Sequence, residues 1–206
     1  MEFSALVVEK DEDSGITSSG VKKITENDLP PGEVLVNIEY STVNYKDGLC
    51  IGPGAGLVKS YPHVPGIDFS GTVESSNVSN YSKGDKVILT GWRVGEVVWG
   101  GYAQKARVQA SQLVPLPNGL STKEAMAMGT AGFSAKLAII TLEEHGLTKD
   151  KGEVLVTGAT GGVGSVSILL LSNSGYKVVA VSGKKSSIDY LKDIGATRVI
   201  DRNDLN

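Results

Sequence analysis

Four glycines stand close together in the segment "VTGATGGVGS" at 156–165. The spacing from Ala159 through Gly161 to Gly164 is that of a dinucleotide-binding loop in which alanine has replaced the first glycine. Such a loop needs residues without bulky side chains, because the backbone turns sharply, approaches a pyrophosphate and packs a helix against its sheet. The helix start would then direct free N–H groups at the phosphates. We therefore predict a dinucleotide site, with glycines that serve only close packing as the alternative, and its expected contacts are Thr160, Gly161, Gly162 and Val163.

The segment "VVAVSGKKSS" at 178–187 indicates which dinucleotide binds. It lacks the acid that an NAD site usually places about 20 residues after its glycine loop. Hydroxyl and ammonium groups stand there instead, and these suit a dianionic 2′-phosphate. Arg202 could close on the same phosphate, because it follows the strand expected to lie beside this segment. We predict NADPH as the cofactor, with a solvated basic turn as the alternative, and the expected contacts are Ser182, Gly183, Lys184 and Arg202.

These segments need a parallel α/β unit to position them. The pattern predicts strands at 154–157, 177–181 and 198–200, with helices from about 163 and over 186–194. A longer helix is predicted before them, because Ser121 and Glu124 have the spacing of a capping box and His145–Gly146 is a good helix stop. This βαβαβ order implies parallel strands with right-handed crossovers.

The first part of the chain, to about residue 115, has the period of β-strands. Val34, Val36, Ile38 and Tyr40 alternate onto one face, and "DFSGTVES", "KGDKVILTG" and "GYAQKARVQ" are further strand candidates. Many short strands with glycine turns indicate a small, partly open barrel. We predict two domains, a barrel at 1–120 and the first half of a Rossmann-type domain at 121–206.

The composition is that of an ordinary soluble protein. Apolar residues make up 40% of the 206 residues and the net charge is −3, without a basic block that would favour nucleic acid or a membrane surface. The longest apolar run that we noted, Ile168–Leu171, is far short of the ~20 residues that cross a bilayer. Cys50 alone cannot form an internal disulfide, and the N-terminus has no signal-peptide pattern. We expect a cytoplasmic protein.

Six stretches together resemble the medium-chain dehydrogenase/reductase superfamily, and within it the acrylyl-CoA reductase branch of the quinone-oxidoreductase-like enzymes. They are "STVNYKDGL", "PHVPGIDFSGTV", "LTGWRVGEVVWGGYAQKARV", "GTAGFSA", "VTGATGGVGS" and "VVAVSGKKS", and they cover the chain in the expected order. The resemblance implies an α/β protein with a GroES-like β-barrel followed by a Rossmann-type domain. It also implies NADPH-dependent reduction of acryloyl-CoA to propanoyl-CoA.

The resemblance implies roles for residues outside the glycine loop. Tyr45 would lie beside the nicotinamide, where its hydroxyl could orient the cofactor or donate to the enolate oxygen; packing without chemistry is the alternative. Tyr45 is thus both the candidate catalytic residue and a candidate cofactor contact. Thr130, at the start of the helix that links the domains, would reach the nicotinamide from the other side, and Asn44 and Asp47 would lock the local turn.

No metal site is expected. Zinc-dependent members of the superfamily carry an early cysteine and a Gly-His-Glu motif, but here the motifs read "NYKDG" and "GID". Cys50, His63 and His145 are isolated and cannot supply a three- or four-ligand site of the usual kind. We expect His63 in a loop and His145 at a helix C-terminus.

The expected partner is a small acyl-CoA, although no basic cluster marks a site for its phosphates. Trp92 and Trp99 are expected to pack in the core or a lid, with acyl-chain contacts as the alternative. The resemblance implies further Rossmann strands after Asn206 and a homo-oligomer at full length, so we expect a fragment of a longer enzyme or a form completed by another chain. A quinone or enone reductase and a non-catalytic NADPH-binding module remain as alternative functions.

Overall fold

The computed structural model describes residues 1–52 and 56–205. The chain divides into two compact units, Met1–Thr130 and Ala131–Asn206. Buried apolar clusters lie within each of them. The predicted order, a β-rich unit followed by a parallel α/β unit, is confirmed.

The first unit contains a hairpin and a five-stranded antiparallel sheet. The seven strands are β1 (Glu2–Lys10), β2 (Thr17–Thr25), β3 (Val34–Ser41), β4 (Asp68–Ser76), β5 (Lys86–Thr90), β6 (Lys105–Val108) and β7 (Val114–Pro115). The hairpin pairs β1 with β2, and the sheet has the order β6-β3-β4-β5-β7. Backbone hydrogen bonds also join β1 to residues 102–104, just before β6, so the strands curve towards a partly closed barrel.

Strand β3 shows how the sequence pattern becomes a core. Val34 and Val36 are fully buried against Phe69 and Leu89 in one apolar cluster, as the period of two predicts. Tyr40, expected on the same face, is instead 43% exposed. The pairing of β3 with β4 shifts register between Ile38 and Tyr40, and such a bulge changes which way the following side chains point.

A seven-residue helix, α1 (Tyr45–Ile51), follows β3 and was not predicted. Helix α2 (Thr122–Glu144) begins with the predicted capping box: Ser121 N donates to Glu124 Oε2 at 2.8 Å, and Glu124 N donates to Ser121 Oγ at 3.2 Å. Length and hydropathy alone would allow α2 to cross a bilayer. A break at Gly129, with φ 48° and ψ −156°, leaves segments 122–128 and 130–144, both shorter than the ~20 residues required.

The units divide later than the domain boundary that we placed between residues 120 and 121. The first segment of α2 belongs to the first unit because Thr122 is buried there. Its hydroxyl donates to Glu39 Oε2 and its carbonyl accepts from Ser70 Oγ, both at 2.8 Å. The division therefore coincides with the break at Gly129.

The second unit contains a three-stranded parallel sheet of order β10-β9-β8. Its elements are β8 (Glu153–Val156), α3 (Gly162–Asn173), β9 (Lys177–Ser182), α4 (Ile188–Asp193) and β10 (Arg198–Asp201). Ile168 of α3, Leu191 of α4 and Val178 of β9 are fully buried in one cluster. The βαβαβ arrangement that the glycine loop requires is confirmed.

Candidate functional site

The glycine loop joins β8 to α3 and has little room for side chains. Gly158 has a φ of 59°, in the left-handed region that favours glycine. A Cβ placed on Gly164 would lie 2.3 Å from Gly158 O, closer than any real contact. Ala159 is fully buried, and its amide donates to Val181 O at 3.3 Å. The turn thus takes its left-handed glycine one position before Ala159, which explains how alanine is tolerated in the fingerprint.

Helix α3 presents free amides at its start. The first helical bond after the loop runs from Ser165 N to Gly161 O at 2.9 Å, so the amides of Gly162, Val163 and Gly164 precede the repeating pattern. Gly161, Gly162 and Val163 are exposed. This helix start has the geometry and dipole that attract a phosphate group.

A cavity of about 310 Å³ opens beside the loop at the carboxyl ends of β8 and β9. Five of the predicted cofactor residues line it, together with the turn at 157–158: these are Thr160, Ser182, Gly183, Lys184 and Arg202. None of the described residues that line this cavity carries a carboxylate. Asp201, opposite Ser182 in the sheet register, accepts from Asn203 N at 3.0 Å. The cavity therefore combines hydroxyl groups with two cations.

Gly183 allows Arg202 to enter this cavity. A Cβ on Gly183 would lie 3.0 Å from Arg202 Nη2 and 3.3 Å from Cζ, so the guanidinium occupies the space that a side chain would need. The backbone of the next residue is also fixed, because Lys184 N donates to Ser182 Oγ at 3.0 Å. Neighbouring parallel strands thus bring the two cations to one cavity.

The other two predicted site residues, Tyr45 and Thr130, lie in the first unit. Tyr45 begins α1 and is 85% exposed. Asp47 is buried and holds the helix start, since it accepts from Asn44 N at 2.8 Å and from Ile67 N at 2.9 Å. The expectation that Asn44 and Asp47 fix the local turn therefore agrees with these contacts.

Tyr102 lies close to the same turn. Its hydroxyl donates to Thr42 O at 2.9 Å. Burial, and then the nearby Asp47 carboxylate, raise the pKa of this hydroxyl well above its ordinary value. Tyr102 is consequently a neutral hydrogen-bond donor that supports the chain just before Tyr45.

Asp68 is the centre of this part of the unit, and sequence reasoning did not assign it a role. Its carboxylate is fully buried. Oδ2 accepts from Thr42 Oγ1 at 2.7 Å, Asn44 Nδ2 at 3.0 Å and Thr130 N at 2.9 Å, while Oδ1 accepts from Thr130 Oγ1. Asp68 thereby ties the end of β3, the start of α1 and Thr130 to β4.

The break at Gly129 makes this arrangement possible. A Cβ at Gly129 would lie 2.7 Å from Thr42 Cγ2 and 3.0 Å from Asp68 Oδ2. The positive φ of Gly129 directs the Thr130 amide at the carboxylate instead of along the helix. The hydroxyl hydrogen of Thr130 is consequently engaged by Asp68, which leaves its oxygen to accept from a ligand. A carboxylate directly before Phe69, at the start of the strand candidate "DFSGTVES", was the signal in the sequence.

Cys50, His63 and His145 do not form a cluster of metal ligands. His63, expected in a loop, is fully buried beside β1, and its Nε2 lies 2.9 Å from Gly95 O; burial lowers its pKa. Cys50 is also buried, and this burial is the main cause that raises the pKa of its thiol to about 11. His145 directly follows the C-terminal end of α2, with Nδ1 2.7 Å from Thr141 O. Over residues 1–52 and 56–205, no three His, Cys, Asp or Glu side chains form a metal-binding group.

Comparison with known proteins places this geometry in a family. The alcohol dehydrogenase GroES-like domain model matches residues 30–118. The acrylyl-CoA reductase AcuI of Ruegeria pomeroyi is 63% identical over 204 residues, which are 99% of this chain and 62% of that protein. The putative quinone oxidoreductase YhfP of Bacillus subtilis is 48% identical, over 98% of this chain and 61% of that protein. The chain thus spans about three-fifths of the length of these relatives.

Solved structures agree with the sequence relatives. The yhdH oxidoreductase of Salmonella enterica in complex with NADP has a TM-score of 0.94 and 46% identity, over 98% of this chain and 62% of that one. The yhfP protein of Bacillus subtilis with NAD bound has a TM-score of 0.95 and 48% identity, over 100% of this chain and 62% of that one. The chain belongs to the medium-chain dehydrogenase/reductase superfamily, within the quinone-oxidoreductase-like group that includes the acrylyl-CoA reductases.

Proposed function

We propose that this chain is part of a zinc-independent, NADPH-dependent reductase of the carbon–carbon double bond of a small enoyl-CoA, with acryloyl-CoA as the substrate and propanoyl-CoA as the product. The cavity lined by Ser182, Lys184 and Arg202 carries the proposal, because it supplies what a phosphorylated dinucleotide needs. The choice of substrate rests on the 63% identity to an acrylyl-CoA reductase along nearly the whole chain.

The residues present fit NADPH better than NADH. A 2′-phosphate brings two negative charges, and two cations with a hydroxyl group line the cavity where no described residue offers a carboxylate to a ribose hydroxyl. The amides at the start of α3 would hold the pyrophosphate. Similar structures contain NADP in one case and NAD in another, so the preference has to follow from these side chains.

Bound NADPH would supply the hydride for the β-carbon of the enoyl thioester, and the α-carbon would take a proton. During this step the thioester oxygen gains negative charge, so a hydrogen-bond donor placed there lowers the barrier. We propose Tyr45 for that role because its exposed hydroxyl projects from a helix start that Asp47 and Asp68 hold in place. Thr130 is proposed as a cofactor contact through its hydroxyl oxygen.

A reaction of this kind needs no metal ion, because placement and hydrogen bonding supply the stabilisation. We expect turnover by the intact protein to be unchanged after incubation with a chelator such as EDTA, and elemental analysis to find less than stoichiometric zinc. One tightly bound zinc per chain, with activity lost on its removal, would contradict this part of the proposal.

A comparison of the turnover of two substrates tests the function itself. The intact protein should oxidise NADPH with acryloyl-CoA and form propanoyl-CoA, detected by mass spectrometry. A quinone oxidoreductase is the second candidate, because YhfP is 48% identical along the chain. A higher kcat/KM with a simple quinone than with acryloyl-CoA would favour that function, and cofactor binding without turnover of either substrate would exclude both.

The cofactor preference should depend on Lys184. Replacement by glutamate substitutes repulsion for an attractive contact with the 2′-phosphate, and we expect a loss of about 2–3 kcal/mol of the preference for NADPH over NADH. The ratio of kcat/KM for the two cofactors measures it. Lys185→Glu is the matched control, since Lys185 carries the same charge next to Lys184 but does not line the cavity. Equal efficiency of the unmodified protein with both cofactors would overturn the assignment.

A further inference from the structure

Trp92 and Arg93 occupy an unusual turn after β5. Their φ angles are 57° and 58°, and Val94 N donates to Gly91 O at 3.1 Å. Two successive positive φ angles with this hydrogen bond define a type I′ turn, whose central positions usually hold Gly, Asn or Asp. A tryptophan and an arginine therefore stand where the backbone disfavours both residue types. Residues that oppose their local backbone preference are expected where their side chains have a function.

The turn is firmly anchored while its side chains face outwards. Val94 is fully buried, and Gly95 N donates to Val98 O at 2.7 Å. The backbone of Gly66 approaches Gly95 so closely that a Cβ there would lie 2.6 Å from Gly66 C. In contrast, Trp92 is 62% exposed and the Arg93 side chain is 68% exposed. The indole and the guanidinium are thus presented by a rigid support, which lowers the entropy lost on binding.

Glu96 gathers two cations at this turn. It is 8% exposed, its Oε1 lies 2.7 Å from Lys46 Nζ, and its Oε2 lies 3.9 Å from Arg93 Nε. One buried carboxylate is shared by two partly exposed cations, so the group carries a net positive charge and keeps free donors. Lys46 follows Tyr45 directly in α1, which places this group next to the proposed catalytic residue.

We propose that Trp92, Arg93 and Lys46 bind the phosphorylated nucleotide half of the acyl-CoA substrate. An exposed indole can stack on a base, and the two cations can bind phosphate oxygens. The pairing of an aromatic face with cations distinguishes this ligand from a simple quinone, which has no phosphates. The inference rests on the proposed function for its substrate class, and it supplies the phosphate contacts that the sequence pattern did not reveal.

A truncated substrate tests the site. Acryloyl-pantetheine has the same acyl group and thioester arm as acryloyl-CoA but lacks the nucleotide and its phosphates. At saturating NADPH, Arg93→Gln in the intact protein should raise the KM for acryloyl-CoA about 10-fold, because a charge-assisted contact is lost. The KM for acryloyl-pantetheine, the KM for NADPH and the kcat should stay unchanged. Lys46→Gln should act in the same direction.

Lys22→Gln is the matched control for both variants, because Lys22 is an exposed lysine of the same unit, paired with Glu9. It should leave the KM values for both thioesters unchanged. An equal rise in KM for the two thioesters in Arg93→Gln, no change for either, or a rise confined to NADPH would overturn the proposed site.

A separate measurement keeps the site distinguishable from the proposed function. If the unmodified protein reduces neither thioester, the proposed function fails while the site is still testable by calorimetry with CoA alone. Weaker binding of CoA to Arg93→Gln than to the unmodified protein would support the site. Equal affinities, or no binding of CoA by the unmodified protein, would overturn it.

Discussion

Replacing Asp68 with asparagine should lower the kcat of the intact protein about 100-fold and its free energy of unfolding by about 3 kcal/mol. The carboxylate accepts four hydrogen bonds in a fully buried position. An asparagine amide keeps one acceptor oxygen, which is neutral and accepts more weakly than a carboxylate, and replaces the other with an NH2 group. Its contacts to Thr42, Asn44 and Thr130 are therefore weakened or lost. Buried donors without acceptors are costly, so the segments that Asp68 holds would move apart.

The measurement has to separate positioning from simple loss of fold. Denaturant unfolding measures the folded fraction of the variant. The kcat and the KM for NADPH are then compared at a denaturant concentration where the variant is folded. We expect kcat to fall while the KM for NADPH changes little, because the phosphate contacts lie in the other unit. Asp85→Asn is the control: Asp85 caps only an exposed turn, accepting from Ser82 N at 2.8 Å. A fully active, folded Asp68→Asn protein would contradict the positioning role.

Gly164→Ala should abolish measurable binding of NADPH, with a loss of about 3 kcal/mol or more, equivalent to at least about 100-fold in Kd. The added methyl group would lie 2.3 Å from Gly158 O and 2.9 Å from Ala159 Cα. Both neighbours are backbone atoms, so the whole turn between β8 and α3 has to shift. The amides of Gly162 and Val163 would then no longer point together at the expected position of the pyrophosphate.

Fluorescence titration with NADPH gives the affinity, and thermal unfolding shows whether the second unit remains folded. Gly20→Ala is a suitable control, because a Cβ at Gly20 meets no atom within 4 Å and its backbone is ordinary strand. An affinity for NADPH in Gly164→Ala within threefold of the unmodified protein would show that the close approach at this loop is not required for binding.

The sequence was most informative where a structural feature depends on a few residues that are adjacent in the chain. The glycine loop, the end of β9 and the position of Arg202 were predicted together, and the structure brings them to one cavity. Parallel βαβ topology allows this, because consecutive strands become neighbours with their carboxyl ends on one edge. The capping box at Ser121 and Glu124 was predicted for the same reason: its signal is local.

Features that depend on distant segments were missed. Asp68 acquires its role only when β3, α1 and α2 converge on it from separations of 24 to 62 residues. Tyr40 points away from the core because of a register shift that depends on the partner strand. His63 is buried because it pairs with Val8 of β1, which lies far earlier in the chain. The hydrophobic period of two residues in a strand, or 3.6 in a helix, does not show which distant segments will pack against that element.

The turn at Trp92 and Arg93 also limits how far this protein can be stabilised without cost. Each non-glycine residue in the left-handed region sacrifices about 1–2 kcal/mol relative to a right-handed conformation, so an Asn-Gly pair would relieve the turn and raise the melting temperature. Directed evolution that selects only for thermal stability would favour the Asn-Gly pair and thereby remove the indole and the guanidinium. If these side chains recognise the substrate, thermostability and substrate affinity will oppose each other at this position. Engineering for robustness should therefore leave residues 91–94 unchanged and search elsewhere.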